Sequence, residues 1–258
     1  MHTILAVAGV VILEMIRRKD VYVLLFLTGL ITLLLGSVNL FGDANIARYL
    51  KEVCLTLIWI SSVAIAVATA ARQIPAEKDS RTIFTLLAKP VFRGQVMVGK
   101  FLGCWAACGL SLVLFYSFFC LVSGTREHYW PLVNYFQALL LHCIFCGVVV
   151  ALTLLGSVIF AAPSSTNTIV CVVVAGILLL GRHLHKVAVK AAGLAGAGLD
   201  ALYFSIPHLE WYDVRDLIVH NWPRMDWTVI LQDTLYGAVF AGLFLLLAWV
   251  RFRRMAFN

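Results

Sequence analysis

Residues 71–103 read ARQIPAEKDSRTIFTLLAKPVFRGQVMVGKFLG, a charged interval that separates two strongly apolar runs of the chain. Only 13% of all residues are charged, and many of them fall in this interval. They are Arg72, Glu77, Lys78, Asp79, Arg81, Lys89, Arg93 and Lys100. If the flanking runs cross a membrane, the interval presents a charged surface to a partner outside the bilayer.

The composition indicates the class of protein. Of the 258 residues, 62% are hydrophobic, and the mean hydropathy is +0.95. A soluble domain of this balance would expose far too much apolar surface, so we predict a polytopic membrane protein in a lipid bilayer. The formal net charge of +7 suits basic cytoplasmic faces. Basic and aromatic residues do not alternate in a soluble module, so we expect no nucleic-acid partner.

Apolar runs of spanning length predict six transmembrane helices. Their approximate bounds are Val21–Phe41, Val53–Ala71, Val96–Val122, Leu132–Ala161, Thr168–Gly181 and Val229–Val250. The earlier run Thr3–Ile16 is too short to cross the bilayer comfortably, so we expect it to lie in the interface with Arg17, Arg18 and Lys19 at the headgroups. Residues Pro163–Asn167 predict a tight polar turn before the fifth span.

The distribution of Lys and Arg predicts the orientation. An even number of spans places both termini on one side, and more Lys and Arg residues fall on that side, which is therefore expected to be the cytoplasm. The fold class is all-α, a polytopic membrane protein with one transmembrane domain over residues 1–258. It comprises an interfacial helix in 1–20, a cytoplasmic loop in 72–95 and an external loop in 182–228.

The external loop has a pattern of its own. Apolar residues recur at helical spacing at its start, and an aromatic and acidic stretch follows Asp200. We predict short amphipathic helices that rest on the outer leaflet or cap the bundle. The expected interfacial anchors are Trp211, Tyr212, Trp222 and Trp227. An ordered loop with no role beyond packing is the alternative.

Residues Gly94–Lys100 superficially match a phosphate-binding loop. That motif continues with Ser or Thr to hold magnesium, whereas this chain has Phe101. No strand is expected before the glycine, and a membrane span follows the lysine. We therefore predict that this chain does not bind ATP by itself. We also expect no other cofactor site, no metal site and no catalytic residue in it.

Thiols and one histidine within the spans are the remaining candidates for chemistry. His142, Cys143 and Cys146 fall in the fourth span, and Cys104 and Cys108 lie one helical turn apart in the third. An apolar setting makes a thiol inert, so we expect small hydrophobic side chains with no disulfide. The imidazole is expected to be neutral and to bond a neighbouring helix. A membrane-embedded thiol or metal redox protein stays open as an alternative.

Acidic and basic residues are missing from the deep parts of the predicted spans. Transporters driven by ion gradients keep such residues on ion and proton routes, so the chain shows no energy source of its own. Small residues instead recur every four positions along the third span. They are Gly99, Gly103, Ala107 and Ser111. This spacing lets helix backbones approach closely, either within one bundle or between protomers.

The charged interval also carries a helical pattern. Pro75 is expected to break the second span, and Ala76–Ala88 predicts a short amphipathic helix. Its apolar side is formed by Ile83, Leu86 and Leu87. Pro90 ends this helix because a proline disfavours helical conformation at the residue before it. Taken alone, the pattern also fits a solvated interfacial helix.

The interval resembles the corresponding segment of ABC-2 type membrane subunits of ATP-binding cassette transporters. The likeness rests on Glu77-Lys78-Asp79-Ser80-Arg81-Thr82, on Leu86-Leu87-Ala88-Lys89-Pro90-Val91, and on Arg93 with Gly99-Lys100. The basic amino-terminal helix, the six spans and the large segment between spans five and six extend it over the whole chain. Ile206-Pro207-His208-Leu209-Glu210 with Asp213 is similar to a proline-led acidic segment of bacterial copper-enzyme-maturation permeases.

The resemblance implies a non-catalytic permease subunit of an exporter in the bacterial inner (plasma) membrane. A separate cytoplasmic ATPase subunit would bind ATP and magnesium and would move a coupling helix in the charged interval. The residues expected to contact that ATPase are Glu77, Lys78, Arg81, Thr82, Phe84, Leu86, Leu87, Lys89 and Pro90. A second permease copy or homologue would complete the pathway. A membrane anchor that binds a cytoplasmic partner without transport is a further alternative.

Overall fold

The computed structural model describes residues 2–17, 19–37, 44–79, 92–160, 162–190 and 194–255. Within these ranges every regular element is a helix, which confirms the all-α class. The helices are α1 His2–Arg17, α2 Lys19–Ser37, α3 Ala44–Ala71, α4 Pro75–Asp79, α5 Arg93–Glu127, α6 Leu132–Ile159, α7 Pro163–Lys190, α8 Leu194–Ser205, α9 Arg215–Val219 and α10 Trp227–Arg254. A short 3-10 helix, Leu209–Tyr212, lies between α8 and α9.

The long helices run between two ends of a bundle. We call the end at which α3 finishes and α5 begins the loop end, and the end formed by α8, the 3-10 helix and α9 the cap end. At the cap end, Lys51 of α3 donates to the carbonyl of Ile218 at 3.4 Å and to Asn221 Oδ1 at 3.2 Å. At the loop end, Lys100 of α5 donates to the carbonyl of Gln73 at 2.9 Å. Helices α3 and α5 are therefore antiparallel neighbours.

Polar side chains of α6 fix the segment that leads into α10. The fully buried Gln137 amide donates to the Met225 carbonyl at 2.9 Å and accepts from the Met225 amide at 3.1 Å. One turn earlier, Asn134 Nδ2 donates to the Trp222 carbonyl at 2.8 Å. Because both contacts lie at the start of α6, this helix begins at the cap end and runs toward the loop end.

Four segments among the described residues are long and apolar enough to cross a membrane. They are Lys51–Lys78, Arg93–Thr125, Leu132–Ile159 and Trp227–Arg254. Helix α7 contains a shorter apolar part, Pro163–Leu179. The predicted multi-pass character is therefore confirmed, whereas the count of six spans stays a prediction. The first predicted span overlaps α2, and its residues 38–41 lie outside the described part of the chain.

Helix α1 packs lengthwise against the first half of α5. An ideal Cβ atom placed on Gly99 would lie 2.8 Å from Val7 Cβ, and one placed on Gly103 would lie 2.7 Å from Val11 Cβ. The contacts advance in the same direction along both chains, so the two helices are parallel. The backbones approach closely because neither glycine carries a side chain. The predicted interfacial location of α1 stays a prediction.

One local prediction is wrong. Residues Pro163–Asn167 belong to the first turn of α7 and do not form a separate turn before it. Proline suits the first helical position because the amide it lacks would have no partner there. The Thr166 hydroxyl donates to the Ala162 carbonyl at 3.2 Å, which supports this helix start. The helix then continues to Lys190, well past the predicted end of the fifth span.

Candidate functional site

The loop end is built around one buried lysine. Lys100 is only 2% exposed. Its Nζ lies 2.7 Å from Glu77 Oε1, 2.9 Å from the Gln73 carbonyl and 3.3 Å from Gln73 Oε1. An ammonium group has three N–H donors, and these acceptors match them in number. Gln73 Nε2 donates to the Thr69 carbonyl at 3.3 Å, which turns the Gln73 Oε1 toward the ammonium.

The local sequence explains how Glu77 reaches this lysine. Helix α3 ends at Ala71, and Pro75 opens the short helix α4. Proline is well suited to a first helical position because its φ is already fixed near the helical value. Glu77 then follows Gln73 by one helical turn, so both side chains face the same lysine. The ion pair therefore joins α3, α4 and α5 at one point.

A second cation ties α10 to the loop end. Arg93, the first residue of α5, donates through Nη1 to the carbonyls of Phe252 at 3.2 Å and Arg253 at 2.9 Å. It also reaches the Met255 carbonyl at 3.4 Å. The last carbonyls of a helix have no intrahelical partner, and a cation there also interacts favourably with the helix dipole. The start of α5 and the end of α10 are thus joined.

The structure describes two of the residues predicted to contact an ATPase. Glu77 pairs with Lys100 and is about one-quarter exposed, at 26% of its side chain. Lys78 is exposed on α4. The others lie outside the described residues: Arg81, Thr82, Phe84, Leu86, Leu87, Lys89 and Pro90. The contact with an ATPase therefore stays a prediction, and Glu77 has an additional role inside the chain.

The small residues of α5 face the interior of this chain. Gly99 and Gly103 lie against α1, with the Ala8 carbonyl 2.9 Å from an ideal Cβ atom on Gly103. Ala107 and Ser111 are both buried, and the Ser111 hydroxyl donates to the Ala107 carbonyl at 3.1 Å. Of the two arrangements that the spacing allowed, the glycines therefore make close contacts within the bundle.

The cap end contains a second charged cluster. Arg215 donates through Nε to Asp213 Oδ1 at 2.7 Å and through Nη2 to Asp213 Oδ2 at 2.8 Å. Its Nη1 donates to Thr56 Oγ1 of α3 at 2.6 Å. The hydrogen bonds that Arg215 donates to Asp213 raise the pKa of Arg215, which keeps the guanidinium charged. This cluster joins the cap to α3.

The predicted interfacial anchors of the cap separate into two kinds. Trp211, Trp222 and Trp227 are exposed, as residues that lie in a membrane interface are expected to be. Tyr212 is different, because it is buried and its hydroxyl donates to the Asp233 carbonyl at 2.9 Å. Burial raises the pKa of Tyr212, so its hydroxyl remains a donor. The prediction of an interfacial role is wrong for Tyr212, which attaches the cap to α10.

His142 bonds two neighbouring helices, as the sequence predicted. Its Nε2 lies 2.7 Å from Ser62 Oγ of α3, and its Nδ1 lies 3.2 Å from the Tyr116 hydroxyl of α5. The ring also stacks on Trp59 at a centroid distance of 4.6 Å. The cysteines are all unbridged. Among the described residues, no group of three His, Cys, Asp or Glu side chains is placed to hold a metal ion.

Sequence reasoning missed several partners in these clusters. Gln73 was not identified, although its spacing of four residues from Glu77 places both on one helical face. Thr56 and Arg215 were not connected either, and their distance along the chain leaves no local signal. Lys100 was identified as a motif residue, but its burial was not foreseen.

Comparison with known proteins identifies the family of the chain. A family model described as "ABC-2 family transporter protein" matches residues 6–256, nearly the whole sequence. No curated protein matches the chain. The family match agrees with the apolar helices and with the charged connection between two of them. The chain therefore belongs to the ABC-2 transporter family and is a membrane permease subunit of an ABC transporter.

Proposed function

We propose that this permease exports a substrate with energy from ATP hydrolysed by a separate cytoplasmic ATPase subunit, which binds the connection in residues 72–95. The observation that carries the proposal is the buried pair between Lys100 and Glu77, with N and O 2.7 Å apart. It attaches the start of the connection to two long helices. A force on the connection would therefore act on both helices together.

The connection transmits a displacement only if its attachment to the long helices is stiff. A flexible loop would absorb the displacement caused by an ATPase, because each residue of an unrestrained chain rotates easily. Here Glu77 of α4 is held by the ion pair, and Lys100 also donates two hydrogen bonds to Gln73 in the turn between α3 and α4. A buried ion pair resists separation, because breaking it would leave the Lys100 charge without its counter-charge. Displacement of α4 would thus be transmitted to α3 and α5.

The remaining parts of the proposal follow from the family. The ATPase would bind ATP and magnesium, and this chain would be non-catalytic. A second permease copy or homologue would complete the pathway, with six spans and an interfacial helix in each copy. Both termini would be cytoplasmic in a bacterial inner membrane. The likeness of Ile206–Glu210 to copper-enzyme-maturation permeases suggests one branch of the family and does not name the cargo.

A photocrosslinking experiment tests this proposal directly. Lys78→p-benzoylphenylalanine places a reactive group on the exposed face of α4. Irradiation of intact membranes should give an adduct whose second component is an ABC ATPase, identified from its Walker-motif peptides. The matched control is Lys186→p-benzoylphenylalanine, at an exposed lysine near the opposite end of the bundle. Adducts with the ATPase at both positions, or at neither, would contradict the proposal.

Charge reversal within the connection gives a second, independent measurement. Arg81→Glu should reduce the yield of the ATPase adduct at position 78, because Arg81 is one of the predicted contacts. Lys186→Glu makes the same change of charge at the other end and should leave the yield unchanged. An unchanged yield in Arg81→Glu would remove Arg81 from the interface. If the ATPase is bound but ATP hydrolysis drives no transport, the chain is a membrane anchor.

A further inference from the structure

A cavity of about 480 Å³ opens at the cap end between α3, α7 and the segment around the 3-10 helix. Its walls are mostly apolar and include Trp59, Val63 and Ala64 of α3 and Val174 and Leu178 of α7. This volume falls within the range of about 300–1,000 Å³ that is typical of small-molecule sites. An apolar pocket with a few polar groups at one end is the usual form of such a site.

Three acidic or basic residues lie at the polar end of the cavity. Asp213 and Arg215 line it, but they neutralise each other through two hydrogen bonds of 2.7 and 2.8 Å. Glu210 also lines it and is 7% exposed. Among the described residues neither carboxylate oxygen of Glu210 has a hydrogen-bond partner. The His208 imidazole, which is cationic only when protonated, lies with its Nδ1 4.0 Å from Oε1, at the limit of an ion pair and beyond hydrogen-bond distance.

A glycine on α7 makes room for this carboxylate. An ideal Cβ atom on Gly181 would lie 2.9 Å from Glu210 Oε2 and 3.0 Å from Oε1. Any other residue at position 181 would therefore displace the carboxylate from its place against the helix. A buried carboxylate without hydrogen bonds is costly, and such a group calls for an explanation. Both oxygens lie against α7, and a cationic ligand in the adjoining cavity would supply the missing partner once the Glu210 side chain turns from Gly181 toward the cavity.

The cavity also opens to the side of the bundle. Ile60 and Leu179 line it, yet they are 63% and 78% exposed on the outer surface. Ile60 lies in a segment long and apolar enough to cross the membrane, and Leu179 lies at the end of a shorter apolar segment. A ligand with an apolar body would therefore reach the cavity from the lipid, and its charged head would face the cap end.

We infer that this cavity binds an amphiphilic monocation, an amine whose apolar body lies between α3 and α7 and whose ammonium group pairs with Glu210. An anionic amphiphile would be repelled by Glu210, and a neutral one would leave the carboxylate without a partner. Arg215 does not compete for Glu210, because its guanidinium is bound to Asp213 and Thr56. Binding needs neither an ATPase nor export, so its failure would leave the proposed function untouched.

Two probes that differ only in charge test the inference. Dodecylamine and dodecanol, each with the same diazirine on the alkyl chain, are photoactivated with the full-length protein in phosphatidylcholine nanodiscs. The sites of labelling are then mapped by mass spectrometry. The amine should label the α3 and α7 walls saturably, and its half-saturating concentration should be at least about tenfold lower than that of the alcohol, which corresponds to about 1.4 kcal/mol. Equal labelling by the two probes would overturn the inference.

Variants separate the roles of charge and volume. Glu210→Gln should raise the half-saturating concentration of the amine about tenfold or more and leave that of the alcohol unchanged. Glu52→Gln removes a charge from an exposed position on α3 near the same end and should change neither. Ala64→Phe fills the cavity and should remove wall labelling by both probes. Unchanged amine labelling in Glu210→Gln or in Ala64→Phe would also overturn the inference.

Discussion

The two ends of the bundle bury charged groups in opposite ways. At the loop end, Lys100 has an acceptor for each of its three donors, and Glu77 supplies the counter-charge. At the cap end, Glu210 is almost as deeply buried, and neither of its oxygens has a hydrogen-bond partner among the described residues. A buried ion is costly unless it is paired and hydrogen-bonded. The lysine at the loop end is therefore compensated within the chain, and the ligand that we propose would compensate the carboxylate at the cap end.

This difference fits the two tasks that we propose. A satisfied ion pair holds α4 rigidly on α3 and α5, which suits a surface that transmits force. An unsatisfied carboxylate beside an apolar cavity suits recognition of a ligand, because the free energy of pairing is then available for binding. Each end can be altered separately, since the Lys100 and Glu210 clusters share no residue. Mutations at the two ends should therefore have clearly different effects on stability.

The largest effect is expected when the counter-charge at the loop end is removed. Glu77→Leu leaves the buried Lys100 without its carboxylate and should lower the free energy of unfolding by about 3–5 kcal/mol. Unfolding in mixed micelles with increasing SDS measures this change. Lys78→Leu, on the exposed side of the same helix, should shift it by no more than about 0.5 kcal/mol. A similar loss of stability in both variants would show that the ion pair between Glu77 and Lys100 does not contribute to the free energy of unfolding.

A smaller loss is expected where α1 meets α5. In Gly103→Ala the added methyl group would lie 2.7 Å from Val11 Cβ and 2.9 Å from the Ala8 carbonyl, so α1 must move away. Overpacking of this kind costs about 1–3 kcal/mol. Gly9→Ala is the matched control on α1, because its Cβ would have no neighbour within 4 Å. The same unfolding measurement applies, and equal stability of the two variants would argue against close packing of these helices.

The paired charges of the cap should matter less than those of the loop end. Asp213→Asn removes the charge that holds Arg215, and the expected cost is about 1 kcal/mol because both side chains are partly exposed to solvent. Asp216→Asn makes the same change on a neighbouring, more exposed carboxylate and should cost less than about 0.5 kcal/mol. Thermal unfolding of the detergent-solubilised chain distinguishes them. A larger loss of stability in Asp216→Asn than in Asp213→Asn would show that the pair of Asp213 and Arg215 is not the main stabilising pair of the cap.

The smallest effect is expected at the unpartnered carboxylate. Without added ligand, Glu210→Gln should leave the free energy of unfolding unchanged within about 0.5 kcal/mol or raise it, because no hydrogen bond is lost. With saturating dodecylamine, the unmodified chain should become more stable, whereas the variant should not. The thermal midpoint with and without the amine measures both. A large loss of stability without ligand would show that Glu210 already has a structural partner.

Much of the fold was predictable because it depends on patterns along the chain. The start of α6 at Leu132 and the end of α3 at Ala71 were predicted to the residue, since apolar runs and the residues that end them are local features. The helical role of Pro163 was missed because proline is common both in turns and at the first position of a helix. A helix was predicted at the start of the external loop, but its continuity with the fifth span was missed because the polar residues after Gly181 indicated the end of that span.

The sequence by itself determined that this is a helical membrane protein of the ABC-2 family, because hydrophobicity and short motifs are written in consecutive residues. The sequence placed Glu77 and Lys100 in the charged interval and Glu210 in the proline-led acidic segment. It did not show which residues each of them contacts. Only the tertiary structure decided that Lys100 has a partner for every donor and that Glu210 lies beside a cavity without one. Burial and pairing depend on which helices meet, and that is a property of the packed chain.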